Sequence, residues 1–262
     1  MLRFLPEGGD APHPFHRTQG TDQADVLVVC DHASALIPPR YGDLGLDARQ
    51  RQDHIAWDRG AADVAIGVAG RLGCPAILAG VSRLVIDCNR QPGDPASIPA
   101  ATCGVDIPGN RMVDDAEAAG RAQAWFWPYH QAIGDELARL FRRGRVPAVV
   151  SIHSFTASLN GVGRPWHVGV LSNRDRRMAE PVLAALQAAG GLTVGDNQPY
   201  SGRQLNYSLD THAGAAGLPH VSFEIRQDQL TDAEACDRWS ELLAGVLRPV
   251  LADPALRRVR VY

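Results

Sequence analysis

The stretch "VLVVCDHASALIP", Val26 to Pro38, decides how the rest of the chain is read. Five apolar residues run into Asp31 and His32, and proline breaks the run. Aliphatic and β-branched residues without polar alternation describe a strand buried on both faces, as in the interior of an α/β sheet. Ligands of such sheets collect at the carboxyl ends of the strands. Taken alone, His32 reads first as a histidine that hydrogen-bonds its own loop. Only the rest of the chain gives it another meaning.

Apolar residues at Ala61, Val64, Ala65, Val68, Ala69 and Leu72 repeat at helical spacing, and Gly73 stops the run before a short strand, "AILAG". "RLVIDCNR", Arg83 to Arg90, reads as a further apolar strand that ends in polar residues, followed by a Pro/Gly-rich loop. Trp125, Tyr129, Ile133, Leu137, Leu140 and Phe141 mark one face of a long helix that Pro128 kinks or restarts. "AVVSIHSF", "WHVGVL" and "HVSFEIR" read as strands. In the last helix Thr231 and Glu234 stand at capping-box spacing, ahead of a stripe formed by Ala235, Trp239, Leu242, Leu243, Val246, Leu247 and Val250. Strands alternating with helices predict a three-layer α/β/α sandwich. The expectation is one domain over residues 1–262, with 1–25 an irregular N-terminal segment.

A formal net charge of -3 and a pI near 6.3 offer no general attraction to nucleic acid or anionic lipid, which leaves a small molecule as the expected partner. Lysine is absent, so Schiff-base and P-loop chemistry are excluded. Residues 1–25 carry prolines and charges without an apolar core segment, and no later run approaches a membrane span; a cytoplasmic protein is expected. Five cysteines at wide spacing, with no CxxC pair, predict free thiols.

Four expected strand ends carry polar groups: Asp31-His32, Asn89-Arg90, His153-Ser154, and Glu224 with Arg226. Two histidines from separate strands with carboxylates nearby are the ligand set of a catalytic zinc site, which takes three protein ligands and keeps a fourth position for water. A glutamate outside that shell can take the water's proton and pass it to the leaving nitrogen.

The segments "CDHASALIP", "HIAWDRGA", "SRLVIDCNR", "IPGN", "SIHSFT" and "FEIRQD", in that order, resemble the N-formylglutamate amidohydrolase family in its shorter branch. More remotely, "VIDCNR", "SIHSF" and "FEIR" are similar to segments of zinc carboxypeptidases. The resemblance implies a phosphorylase/hydrolase-like fold with a mixed central sheet and an amide hydrolase holding one zinc ion per chain. Carried over by motif, His32 and His153 are metal ligands, Glu224 is base and proton shuttle, and Asn89 with Arg90 clamps the substrate's α-carboxylate. A carboxypeptidase places its glutamate ligand three residues after the first histidine, where this chain has Ala35. Another acid must therefore close the shell. Asp58, which precedes a helix, is the choice, with His54 as runner-up. A second departure is Ala157, where relatives would carry proline.

Alternatives stand beside these roles. Asp58 could cap the helix that starts near Gly60. Arg226 could pair with Glu224 on the same strand face. Arg83 carries an oxyanion or carboxylate role on resemblance alone, since a strand over 83–90 would put it at the far end from Asn89. His212, in "DTHAGAAG", either polarises a substrate carbonyl or orders a turn. The expected substrate is an N-acyl amino acid, N-formyl-L-glutamate first, with Arg83, Arg164 and Arg203 competing for its side-chain carboxylate. The rivals are a deacylase or peptidase of other N-acyl amino acids or short peptides, and a metal-free binding module.

Overall fold

Val26–Cys30 is a strand with every residue buried, as its unbroken apolar run requires. In the computed structural model, which describes residues 12–262, the strands are β1 (Phe15–Arg17), β2 (Val26–Cys30), β3 (Ala76–Ala79), the hairpin β4 (Ala101–Thr102) and β5 (Val105–Asp106), β6 (Ala148–Phe155), the hairpin β7 (Ser158–Leu159) and β8 (Val162–Gly163), β9 (Val168–Leu171), β10 (Val194–Asp196) and β11 (His220–Arg226). The helices are α1 (Ala61–Leu72), α2 (Asp115–Arg121), α3 (Trp127–Phe141), α4 (Ala179–Ala189), α5 (Tyr207–Leu209) and α6 (Ala233–Ala252). A seven-stranded mixed sheet runs β1-β3-β2-β6-β11-β9-β10. Its centre, β3-β2-β6-β11, is parallel, while β1 pairs antiparallel with β3 and β9 antiparallel with β11. Helices α1, α4 and α6 pack together over one face, and α3 with α5 covers the other.

The parallel centre matters for the site, because β2, β6 and β11 all end at one edge. Glu224 lies directly across the β6–β11 pair from His153. On its other side Glu224 faces Gly169 of β9. A Cβ at Gly169 would lie 1.9 Å from the Gln198 carbonyl oxygen, so glycine is the residue that lets the following loop cross here.

Four expectations are corrected. Residues 83–90 form no strand but a series of tight turns. Leu84, Val85 and Ile86 are buried with Trp57, Ile107 and Phe126 in a cluster separate from the main core, while side chains satisfy the turn's main chain. Ser82 Oγ accepts from Leu84 N–H, Asp87 Oδ1 from Asn89 N–H, and Asn110 and Arg121 donate to the Leu84 and Val85 carbonyls. A short buried turn and a short buried strand show the same apolar run. Within the segment expected to be irregular, Phe15–Arg17 forms the edge strand; residues 1–11 of it lie outside the described residues. Helix α6 is capped by Asp232, whose Oδ1 accepts from Ala235 N–H at 2.9 Å, in place of Thr231. The long helix restarts at α3 with Pro128 in its first turn, as that proline predicts, after a π-helical turn at Ala122–Phe126, but Phe141 is exposed and does not belong to the buried face. The cysteines are free thiols, all buried except Cys103.

Candidate active site

Asp31 and His32 follow β2 directly, and His153 lies near the end of β6. The third component comes from the loop before α1. Asp58 N–H donates to the His32 carbonyl at 2.9 Å, and Gly60, at φ 79, turns the chain into the helix without a side-chain cap. The Asp58 carboxylate is thereby free of the capping role and turns to the histidines. Its Oδ2 lies 3.3 Å from His32 Nδ1 and 2.9 Å from His153 Nδ1, and Ser154 N–H donates to it at 3.3 Å. All three side chains are buried.

The other nitrogen of each ring faces a second carboxylate. His32 Nε2 meets Asp87 Oδ1 at 2.7 Å, and His153 Nε2 faces Asp31 Oδ2 at 3.2 Å. With a proton on each Nε2, the two Nδ1 atoms and Asp58 Oδ2 become three acceptors turned toward one another. Such an arrangement is tolerable only with positive charge between them. The donor atoms of His32, Asp58 and His153 lie within 4.8 Å of one another, so the group could hold a metal ion. His54 lines the cavity beside them, its Nδ1 turned to Asp53 and its Nε2 buried without a hydrogen-bond partner, but it is not one of the three clustered donors.

A cavity of about 170 Å³ opens over this cluster. Arg83, Asn89, Arg90 and Glu224 line it, with Thr102 and Cys103 of the β4–β5 hairpin, Leu159 of the β7–β8 hairpin, and Tyr200. The turn at 83–90 removes the expected separation of Arg83 from Asn89. Arg83 holds Asp87 Oδ2 at 2.6 Å and brings Nη1 to 3.4 Å from His32 Nδ1 and 3.7 Å from Asp58 Oδ1. Asn89 Oδ1 accepts from Ser208 N–H at 3.0 Å. His212 does not line the cavity; its ring stacks on His130, with Nε2 2.8 Å from His130 Nδ1. Arg226 is turned away from Glu224, donating to Asp228 and to the carbonyls of Arg164 and Pro165. Arg164 donates to Tyr200 Oη at 3.0 Å and stacks on that ring from outside the cavity. Sequence reading left Asp87 without a role, although an aspartate inside an apolar run, four residues after an arginine, signals a buried pair.

A family model described as N-formylglutamate amidohydrolase matches residues 24–231. The chain belongs to the N-formylglutamate amidohydrolase family. A solved gene product of Agrobacterium tumefaciens is 36% identical, with a TM-score of 0.88 over 92% of this chain and 95% of that one. The N-formylglutamate amidohydrolase of Ralstonia eutropha shares the fold at 19% identity, with a TM-score of 0.61 over 92% and 98% of the two chains. The sequence matches none of the curated proteins. Membership of the N-formylglutamate amidohydrolase family makes this chain a hydrolase of amide bonds.

The charges around the cluster suit such an enzyme. Burial opposes ionisation of Asp58, yet His32 and His153 hold its carboxyl well below the usual range. Asp31, likewise buried, is brought down to about 2 by His153, with help from His32 and Ser208. Glu224 moves the other way. Burial, with Asp58 nearby, raises it to about 7 against the pull of His153, and its Oε2 is buried without a hydrogen-bond partner. A carboxyl poised near neutrality can both accept and return a proton. Among the described residues no helix is long and apolar enough to cross a membrane.

Proposed function

We propose that the protein is a zinc-dependent, cytoplasmic amidohydrolase that cleaves N-formyl-L-glutamate to formate and L-glutamate. One observation carries the reading: two imidazole nitrogens and a carboxylate oxygen converge at the sheet edge where the unpartnered oxygen of Glu224 is buried. His32, Asp58 and His153 would hold one zinc ion, the usual three-ligand set of a catalytic site. The metal supplies Lewis acidity toward the formyl oxygen and toward water.

Glu224 takes a proton from the attacking water and returns it to the departing amine nitrogen. Arg90 receives the α-carboxylate through its fork; among the described residues no carboxylate pairs with it, and Nη1 donates to the Asn89 carbonyl at 2.8 Å. Asn89, whose Oδ1 is occupied by Ser208 N–H, offers its amide protons to the same group. Arg83 places positive charge beside the reacting carbon and, of the arginines competing for the side-chain carboxylate, lines the cavity where Arg164 and Arg203 do not. A small cavity walled by arginines suits a short diacid.

The test is formate release by zinc-loaded protein from N-formyl-L-glutamate, set beside N-acetyl and N-succinyl glutamate and N-formyl-L-glutamine. Preferred cleavage of N-formyl-L-glutamate is expected. No formate from it, with turnover of a larger acyl group, would overturn the substrate.

A further inference from the structure

Asp31 is adjacent in sequence to His32 but serves His153, while Asp87, from the turn at 83–90, serves His32. The two carboxylates are held differently. Asp31 Oδ1 accepts from Tyr129 Oη at 2.8 Å and from Ser208 Oγ at 2.6 Å, one donor from α3 and one from α5. Its Oδ2 and His153 Nε2 are buried and have no hydrogen-bond partner besides each other's company at 3.2 Å. In Asp87 both oxygens meet fixed donors: Oδ1 the Asn89 N–H and the His32 ring, Oδ2 the Arg83 guanidinium.

We infer that Asp31 is a positioning residue, and that the Tyr129 and Ser208 hydroxyls orient it so that His153 carries its proton on Nε2 and presents a bare Nδ1 to the metal. The inference rests on the metal reading of the site. It distinguishes two isosteric substitutions. In Asp31→Asn the Tyr129 hydroxyl and the Ser208 hydroxyl, whose other acceptor is the Cys88 carbonyl at 3.3 Å, favour the amide oxygen at the Oδ1 position, which turns the amide N–H groups toward His153 Nε2. That nitrogen must then accept, the ring proton moves to Nδ1, and the metal-facing lone pair is lost. In Asp87→Asn the amide oxygen stays at Oδ1, where two donors meet it. His32 keeps its Nε2 proton, and the conflict falls on Arg83 instead.

The tautomers are read by ring ¹⁵N NMR of the zinc-loaded and metal-free proteins in alkaline buffer, and zinc affinity by competition with a chromophoric chelator, with thermal unfolding as a control for folding. Asp31→Asn is expected to move the His153 proton to Nδ1 and to lower zinc affinity about 10- to 100-fold. Asp87→Asn is expected to leave the His32 proton on Nε2. Adding Tyr129→Phe and Ser208→Ala to Asp31→Asn frees the amide to turn over and should restore the His153 Nε2 proton, which a merely structural role for Asp31 does not predict.

A folded Asp31→Asn protein with its His153 proton still on Nε2, or with zinc affinity within about threefold of the parent where a lost partner of this kind costs at least tenfold, overturns the inference. The unsubstituted protein gives a test without any variant once zinc is bound, because a His153 Nε2 without a proton there also overturns it; in the metal-free protein Asp58 Oδ2, 2.9 Å from Nδ1, competes for the ring proton. If the parent binds no zinc, the metal reading fails, while the ring spectra still judge the positioning role by themselves.

Discussion

Glu224→Gln separates catalysis from structure because it is expected to lower activity and raise stability together, the second only at high pH. The Glu224 carboxyl sits at about 7 in the folded protein against 4.5 for the free group. The native state therefore holds its proton to higher pH than the unfolded chain does. Stability is unaffected by this group below about 4.5, declines as pH rises through about 7, and stays reduced above that. At 1.36 kcal/mol per unit, the difference amounts to about 3 kcal/mol. Glutamine cannot ionise and escapes the loss. Whatever its unpartnered amide costs is the same at both pH values and cancels when they are compared. Urea unfolding of chelator-treated protein on either side of the titration should show the variant gaining about 3 kcal/mol on the parent between acid and alkaline buffer. In parallel, kcat per folded, zinc-loaded molecule should fall about 10²- to 10⁴-fold. A stability difference that does not change with pH, together with a kcat within tenfold of the parent, would refute the reasoning.

Three further outcomes follow from the same geometry. His32→Ala and His153→Ala should each leave a folded chain that retains no zinc after gel filtration; full metal content in either would move the site elsewhere. Arg90→Lys should keep its zinc and lose kcat/KM on N-formyl-L-glutamate, because an ammonium cannot reproduce the two parallel hydrogen bonds of the fork. The α-amide of that substrate should show no such loss, and equal losses would remove Arg90 from carboxylate recognition. In the metal-free protein the imidazole values are raised despite burial, by Asp31 and Asp58 around His153 and by Asp87 and Asp58 around His32. Zinc added to weakly buffered protein at neutral pH should therefore release protons and bind more tightly as pH rises. An indicator dye that registers no acidification would contradict this.

What the sequence made legible was chemistry at strand ends. Asp31-His32, His153 and Glu224 each interrupt an apolar run with a polar residue, and burial of the run fixes where the interruption must lie. Asp58 was legible only as the acid that precedes a helix, because the alternative, a cap, uses the same residue type in the same place. The turn at 83–90 was not legible. Its hydrogen bonds come from Ser82, Asp87, Asn110 and Arg121, two of them distant in sequence, and no local pattern carries that information. Misreading it as a strand also misplaced Arg83. His212 failed for a similar reason: a glycine-rich context predicts a turn but not which way the ring faces. The roles of Tyr129 and Ser208 depend on two helices distant in sequence meeting at Asp31, which only the fold brings about.

Gly169 limits how this cavity can be reshaped. The loop that carries Tyr200 rests on the main chain of β9 with no space for even a methyl group between them. The position of that loop, and with it of Tyr200 in the cavity wall, is therefore set by a backbone contact that a side chain at 169 would break. The hairpin part of the lining is different in kind. The hairpins at 101–106 and 158–163 contribute Thr102, Cys103 and Leu159 from short two-residue arms and the turn at Cys103, and such hairpins tolerate exchange and lengthening. Variation in acyl-group preference among relatives, and any attempt to engineer it, should accordingly concentrate in those two hairpins while residue 169 stays glycine.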